Sequence, residues 1–71
     1  MPKTSARNKL HGVVKSVQYG TVTAEIVIEL SGGQEVAAVI TKKSAQELNL
    51  QEGSEVFAII KATSVMVGKE H

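Results

Sequence analysis

Three short stretches of this chain collect hydrogen-bond donors and contain no acidic residue. They are SARN at residues 5–8, TKKS at 41–44 and KATS at 61–64. A fully deprotonated tetrahedral oxyanion accepts hydrogen bonds and donates none, so its site needs hydroxyls, N–H groups and cations but no carboxylate. Taken together, the three stretches have the chemistry of a small-anion site.

Each stretch also has a purely structural interpretation. Thr41 and Ser44 are typical helix N-caps, Lys61 at the end of an apolar strand would protect a sheet edge, and residues 5–8 would be a mobile terminus. None of the three stretches is specific on its own. Composition and spacing therefore indicate an oligomeric β-barrel that could bind an anion, and both interpretations stay open at this point.

Catalysis is not expected from these residues. General acid–base chemistry needs a titratable group in a pocket, and the 7 acidic residues are all glutamates on strand faces, near a helix cap, in turns or in the tail. The chain has no cysteine and no nucleophile elbow, and its two histidines, His11 and His71, lack metal-ligand spacing. We therefore expect neither an enzyme nor a site for a metal cation.

Nucleic acid and membranes are also poor matches as partners. The net charge is +1, and Tyr19 and Phe57 are too few aromatic residues for a base-stacking platform, so single-strand binding is only a minor alternative. The start of the chain lacks the apolar core of a secretory signal, and the longest apolar runs have five residues. A cytoplasmic protein is the expectation.

The order of apolar and polar residues predicts a mainly β fold. Residues 21–30 alternate strictly, with the even-numbered residues on one apolar face, which indicates a half-buried strand. SGGQ at 31–34 should turn the chain into a hairpin with EVAAVIT at 35–41. The other predicted strands are LHGVVKSV at 10–17, with a bend or bulge at Gly12, SEVFAIIKA at 54–62, and SVMV at 64–67.

One short helix should interrupt the strands. Residues 44–47, SAQE, fit a capping box in which Ser44 is the N-cap, with Thr41 as a rival cap. We predict a single domain over residues 1–71, with short flexible tails at 1–3 and 68–71. Its fold should be a five-stranded barrel resembling the OB fold, with one short helix between strands three and four.

Two predicted strands are apolar at every position: VAAVI at 36–40 and VFAII at 56–60. Strands of this kind are covered on both faces, but a lone small barrel would expose one face, and such a patch usually marks an interface. Alanines that fill an ordinary barrel exterior are the alternative. A domain of this size without disulfides gains stability most readily from other subunits, so we favour a homo-oligomer.

Several motifs, in this order, resemble the molbindins, which are Mop-type molybdate-binding proteins. Their Mop/TOBE domain also occurs in molybdate-dependent regulators and molybdate-transporter ATPases. The motifs are SARN, GTVTAEIVIEL, SGGQEVAAVIT, SAQELNLQEG and VFAIIKATSVMV, from about Thr4 to Val67. The resemblance implies an OB-like barrel, a hexamer built as a trimer of dimers that exchange an N-terminal strand, and molybdate bound between subunits, with tungstate as a substitute.

The resemblance also implies which residues hold the oxyanion. One subunit would contribute Ser5, Ala6 and Arg7, and a neighbour would contribute Thr41, Ser44, Lys61 and Ala62. Arg7 and Lys61 would balance the charge of the dianion, the hydroxyls would donate hydrogen bonds, and the two alanines would donate through their backbone N–H groups.

A second anion site, near a threefold axis, would lie around the glycine that follows the first strand. Its candidate residues are Tyr19, Gly20, Thr21, Val22 and Thr23. Some relatives have Asn where this chain has Thr23, and Tyr19 replaces a residue that is commonly charged or polar.

The function that follows is non-catalytic binding of molybdate or tungstate for intracellular molybdenum storage and homeostasis. Two alternatives stay open. One is a molybdate-sensing module that acts through a partner protein, and the other is a nucleic-acid-binding OB module.

Overall fold

A computed structural model describes residues 7–70, and its centre is a 4-stranded antiparallel sheet. The strands are β1 (Asn8–Tyr19), β2 (Thr23–Leu30), β3 (Glu35–Thr41) and β4 (Glu55–Ile60), and helix α1 (Lys42–Glu47) lies between β3 and β4. A 3₁₀ helix, Ala62–Ser64, follows β4. The order of the strands in the sheet is β3-β2-β1-β4.

Strand β1 holds the sheet together because it pairs on both sides. Its first half, residues 8–13, pairs with β4, and its second half, residues 12–19, pairs with β2. Strand β3 pairs with the other side of β2 through the predicted hairpin, in which Glu29 lies opposite Glu35. As a result β3 and β4 are the two edges of the described sheet, and they do not pair with each other.

The alternation predicted for β2 decides which face of the sheet is the core. Ala24, Ile26 and Ile28 point to this face and are at most 5% exposed. The described residues have no buried polar or charged side chain. The complete set of buried core residues comes from β1, β2, α1 and β4: Val14, Ala24, Ile26, Ile28, Ala45 and Ala58.

The predicted fifth strand is not formed, so the prediction of a five-stranded barrel is wrong for the described chain. Ser64 ends the 3₁₀ helix, and residues 65–68 have no regular structure. Met66 and Val67 are each 93% exposed. A strand needs a neighbour that pairs with its N–H and C=O groups, and none of the described strands lies beside this segment, so the curled sheet stays open between β3 and β4.

The helix position also differs from the prediction. Thr41 is the N-cap, and its Oγ1 accepts the backbone N–H of Ser44 at 3.0 Å. Ser44 lies inside the first turn, so the predicted capping box with Ser44 as N-cap is wrong. The reason is that α1 follows β3 without a linker, which makes the last residue of β3 the cap.

No helix in the described part of the chain is long and apolar enough to cross a membrane.

The irregularity of β1 falls at Lys15 and not at the predicted Gly12. The register with β2 shifts between Val14 and Ser16, which leaves Lys15 as the bulged residue. Gly12 itself stays in register with β2, opposite Leu30. A larger residue would not fit here, because a Cβ at this position would lie 2.6 Å from Ile28 Cγ2. The close approach of β1 to β2 requires this glycine.

An apolar cleft occupies the open side of the sheet, and we call it the edge cleft. It has a volume of about 400 Å³. Every residue that lines it is apolar, and the lining comes mainly from the facing strands: Ile26, Ile28, Val36, Ala37, Ala38, Ile40, Leu48, Leu50, Val56, Phe57, Ala58, Ile59 and Ile60. The two strands that are apolar at every position are therefore the two walls of one cleft.

Candidate functional site

Two of the predicted donors, Thr41 and Ser44, meet at the start of α1. Thr41 Oγ1 donates to Ser44 Oγ at 2.7 Å and accepts the Ser44 N–H at 3.0 Å. Only one of the two hydroxyl protons is used in the bond between them, so the other is available for a ligand. The first turn of α1 contains no acidic residue, so no carboxylate there repels an anion. We call these two residues the hydroxyl pair.

The two predicted cations are brought to one corner of the sheet by the β1–β4 ladder. Asn8 lies opposite Ile60, and its side-chain Nδ2 donates to the Ile60 carbonyl at 3.1 Å. Arg7 precedes Asn8 and Lys61 follows Ile60, so the register places both cations at the same end of the ladder. Both side chains are exposed, and neither forms an ion pair with another residue in the range 7–70. We call this region the cation corner.

Ala62 lies at the cation corner as the first residue of the 3₁₀ helix. A helix has no internal acceptor for its first N–H groups, so the Ala62 N–H is free of the helical hydrogen-bond pattern. Lys61 is the N-cap and makes no side-chain capping bond, and the first turn carries no acid. Ala62 is therefore suited to the predicted role of a backbone donor.

The structure thus brings the predicted residues together in two groups and not in one. No hydrogen bond or ion pair between described residues joins the hydroxyl pair to the cation corner. Ser5 and Ala6 lie outside the described residues. The single chain consequently presents two donor-rich regions, each without an acid in its first turn.

The second predicted anion site, residues 19–23, connects β1 to β2 beside the start of α1. The Lys42 N–H donates to the Val22 carbonyl at 2.8 Å, and Thr23 pairs with Thr41 in the β2–β3 ladder. The Gly20 N–H donates to the Thr23 carbonyl at 2.8 Å. This bond engages the backbone N–H of Gly20, one of the predicted site residues, while Tyr19 and Val22 are 49% and 70% exposed.

The sequence interpretation missed the role of Asn8. It grouped this residue with the anion donors in SARN, whereas the side-chain amide of Asn8 is engaged with Ile60 across the ladder. No local pattern could have revealed this bond, since it depends on the register between β1 and β4 and joins residues 52 positions apart in the chain.

The chain is similar to several known proteins. Residues 4–67 match the TOBE domain family. The chain is 48% identical over 68 residues to the "Probable molybdenum-pterin-binding protein" of Haemophilus influenzae. This match covers 96% of this chain and 99% of that protein. Two solved structures are similar along their whole length. A molybdate-binding protein from Sporomusa ovata is 44% identical with a TM-score of 0.90, covering 96% of this chain and 100% of that one.

The second structure is MopII from Clostridium pasteurianum. It is 42% identical with a TM-score of 0.88, and the match covers 94% of this chain and 100% of that one. Two of these three relatives are named as binding proteins, one for molybdenum-pterin and one for molybdate, and the third is named MopII.

Proposed function

The chain belongs to the TOBE domain family, and on this premise we propose that it binds molybdate without catalysing a reaction. Its role in this proposal is molybdenum storage and homeostasis in the cytoplasm, with tungstate as a substitute ligand. The observation that carries the proposal is the pair of acid-free donor regions, the hydroxyl pair and the cation corner.

The donor chemistry supports a fully deprotonated dianion. Arg7 and Lys61 supply positive charge, the hydroxyl pair has one proton free for a ligand, and Ala62 has an N–H at a helix start. Phosphate at neutral pH carries a proton and needs an acceptor in its site, as a carboxylate provides. The first turns beside these donors have no carboxylate, so the site should discriminate against phosphate by leaving that proton unpaired.

We propose that the complete site forms where copies of the chain meet. Its residues would be Ser5, Ala6 and Arg7 of one copy and Thr41, Ser44, Lys61 and Ala62 of a neighbour. Arg7 and Lys61 are exposed in one chain, where water weakens their attraction to an anion, and an interface that excludes water would strengthen it. The assembly in this proposal is a homo-oligomer, a hexamer arranged as a trimer of dimers, and residues 19–23 are a candidate second site.

Titration calorimetry of the chain with molybdate, tungstate, sulfate and phosphate tests this function. We expect binding of molybdate and tungstate and much weaker binding of phosphate. The change Lys61→Ala should weaken molybdate binding by roughly 1.5–3 kcal/mol, the usual value of a hydrogen bond to a charged group. Lys69→Ala is the matched control, because Lys69 is also an exposed lysine but lies outside both donor regions. Absence of heat with molybdate, or equal affinity for phosphate, would refute the proposal.

A further inference from the structure

Helix α1 carries its charged residues at the ends where the helix dipole disfavours them. Lys42 and Lys43 are its first two residues, and Glu47 is its last. The start of a helix has a partial positive charge and its end a partial negative charge, so acids are stabilising at the start and bases at the end. The first turn of α1 has no acid and its last turn has no base. The two lysines therefore do not stabilise the helix that contains them.

No ion pair within the described residues compensates these lysines, which we call the lysine pair. Neither Lys42 nor Lys43 forms a salt bridge with another described residue. Lys43 and Glu47 are four residues apart, a spacing at which helical side chains meet, but they are not bonded to each other. Lys43 is exposed and Lys42 is partly buried. Two unpaired positive charges consequently lie side by side in one turn.

The lysine pair lies between the two members of the hydroxyl pair, Thr41 and Ser44, in the chain. The Thr41 cap fixes the turn by accepting the Ser44 N–H at 3.0 Å. The backbone N–H of Lys42 donates to the Val22 carbonyl at 2.8 Å, which ties the same turn to the connection between β1 and β2. The two ammonium groups are therefore carried by the same fixed turn as the hydroxyls.

We propose that Lys42 and Lys43 are specificity-determining residues of the oxyanion site, which select a doubly charged tetrahedral anion over a singly charged one of the same shape. The inference rests on the proposed function and deepens it, because the ligand is the same oxyanion and no additional site is needed. The lysine pair acts through its charge, while the hydroxyl pair and the cation corner supply hydrogen bonds. The whole chain has a net charge of only +1, so the positive potential at this turn comes from nearby residues.

Selection by charge follows from Coulomb attraction. Hydrogen-bond donors recognise the oxygens of any tetrahedral oxyanion, but a cation attracts a dianion twice as strongly as a monoanion at the same distance. Perrhenate is the matching probe, because it is a tetrahedral oxyanion similar in size to molybdate that carries one negative charge instead of two. Removing the lysine charges should therefore lower the affinity for molybdate more than the affinity for perrhenate.

Titration calorimetry of the full chain with molybdate and perrhenate, at low ionic strength, is the first test. We expect the double variant Lys42→Gln/Lys43→Gln to lose molybdate affinity about fourfold to tenfold. The loss for perrhenate should be about the square root of that factor, roughly twofold to threefold, as modest attractions of exposed charges predict. Glutamine has nearly the same helix propensity as lysine, so the change removes charge without disturbing α1.

The matched control is Lys69→Gln, which removes an exposed lysine outside both donor regions. It should leave both affinities at their wild-type values. Equal losses for the two anions in the double variant, or no loss for molybdate, would overturn the inference.

The salt dependence of binding is a second measurement on the same proteins. Dissolved salt screens exposed charges, so the molybdate affinity of the wild type should fall more steeply with added sodium chloride than that of the double variant. Identical slopes would show that the lysine pair does not act on the anion through its charge.

The variant Lys43→Glu separates a role in binding from a role in folding. Lysine and glutamate have similar helix propensities, and an acid in the first turn complements the dipole. Without oxyanion this variant should melt roughly 1–5 °C higher than the wild type, and it should bind molybdate more weakly than Lys43→Gln. Gln46→Glu is the control of opposite sign, because it adds an acid near the end of α1 and should lower the melting temperature. A Lys43→Glu variant that melts below the wild type would assign Lys43 to stability and contradict the inference.

The two proposals fail with different results. If the wild type gives no heat with either anion, the proposed function fails and this inference falls with it. If the wild type binds molybdate and the double variant keeps the wild-type preference for molybdate over perrhenate, the inference alone fails and the function stands.

Discussion

The central strand β2 and the edge strand β3 are neighbours with a similar content of apolar residues, but they differ in how well the single chain buries them. In β2, Ala24, Ile26 and Ile28 are buried while the residues between them are more exposed. In β3 the apolar residues continue on the outer face, where Val39 is 67% exposed. Strict alternation therefore accompanies a strand whose apolar residues are buried within its own chain, whereas continuous apolar residues accompany a strand that leaves apolar side chains exposed.

The largest expected effect is in the central region. Ile26→Ala should destabilise the fold by about 2–5 kcal/mol, because Ile26 is 2% exposed and its loss leaves a cavity in the core. Urea denaturation at several protein concentrations would measure this. The loss should persist when the protein is diluted, since the core belongs to a single chain. A loss below about 1 kcal/mol would show that the core is elsewhere.

A substitution in the edge region should behave differently. Ile59→Ala removes a side chain that lines the edge cleft and is 45% exposed, so we expect a loss of about 1–2 kcal/mol in the assembled protein. The same denaturation series tests it. The loss should shrink on dilution as the copies separate, and a loss that is independent of concentration would break the distinction between the two regions.

Thr41 lies where the edge strand supports the core of its own chain. Its Oγ1 caps α1, and α1 places Ala45 in the core at 0% exposed. Thr41→Val should destabilise the fold by about 0.5–2 kcal/mol through loss of the cap, and by the proposal above it should also weaken molybdate binding. Thr41→Ser is the control and should retain most of both properties. Thermal denaturation and calorimetry would measure the two effects, and full stability in the valine variant would contradict the capping role.

The smallest effect is expected at the bulge in β1. Lys15 Nζ bonds Glu35 Oε2, and this hydrogen bond raises the pKa of Lys15 above its ordinary value of 10.5. A raised lysine pKa means that the stabilising contribution is complete below that ordinary value and is lost as the pH rises through the raised one. The pair is on the surface, so Lys15→Gln should leave the urea midpoint at pH 7 nearly unchanged. A clear drop would show that the pair links the bulge to the edge strand more tightly than its exposure suggests.

Much of the fold could be predicted because it depends on local patterns. The alternation from Val22 to Leu30 predicted β2, and SGGQ predicted the hairpin to β3, and both are confirmed. The bulge at Lys15 was missed although a signal existed: the buried valine at position 14 and the inward Val17 differ in parity, which a regular strand does not allow. The fifth strand was wrong because a strand requires a neighbour, and residues 64–67 have none in the described chain.

The candidate site was less predictable than the fold. Local chemistry selected Thr41, Ser44 and Lys61, and the structure brings the first two into contact. The nearness of Arg7 to Lys61 depends on the β1–β4 register, which is set by tertiary pairing and cannot be read from either stretch. The assembly of both donor regions around one anion remains a proposal, because it involves more than one copy of the chain.

Native mass spectrometry with and without molybdate tests the central claim most directly, because it counts chains and bound anions in the same particle. We predict that molybdate masses appear on assembled chains, that monomers carry none, and that Lys61→Ala assembles normally but loses the bound anions. Molybdate on wild-type monomers would contradict a site shared between copies. An assembly that never carries molybdate would contradict the function itself.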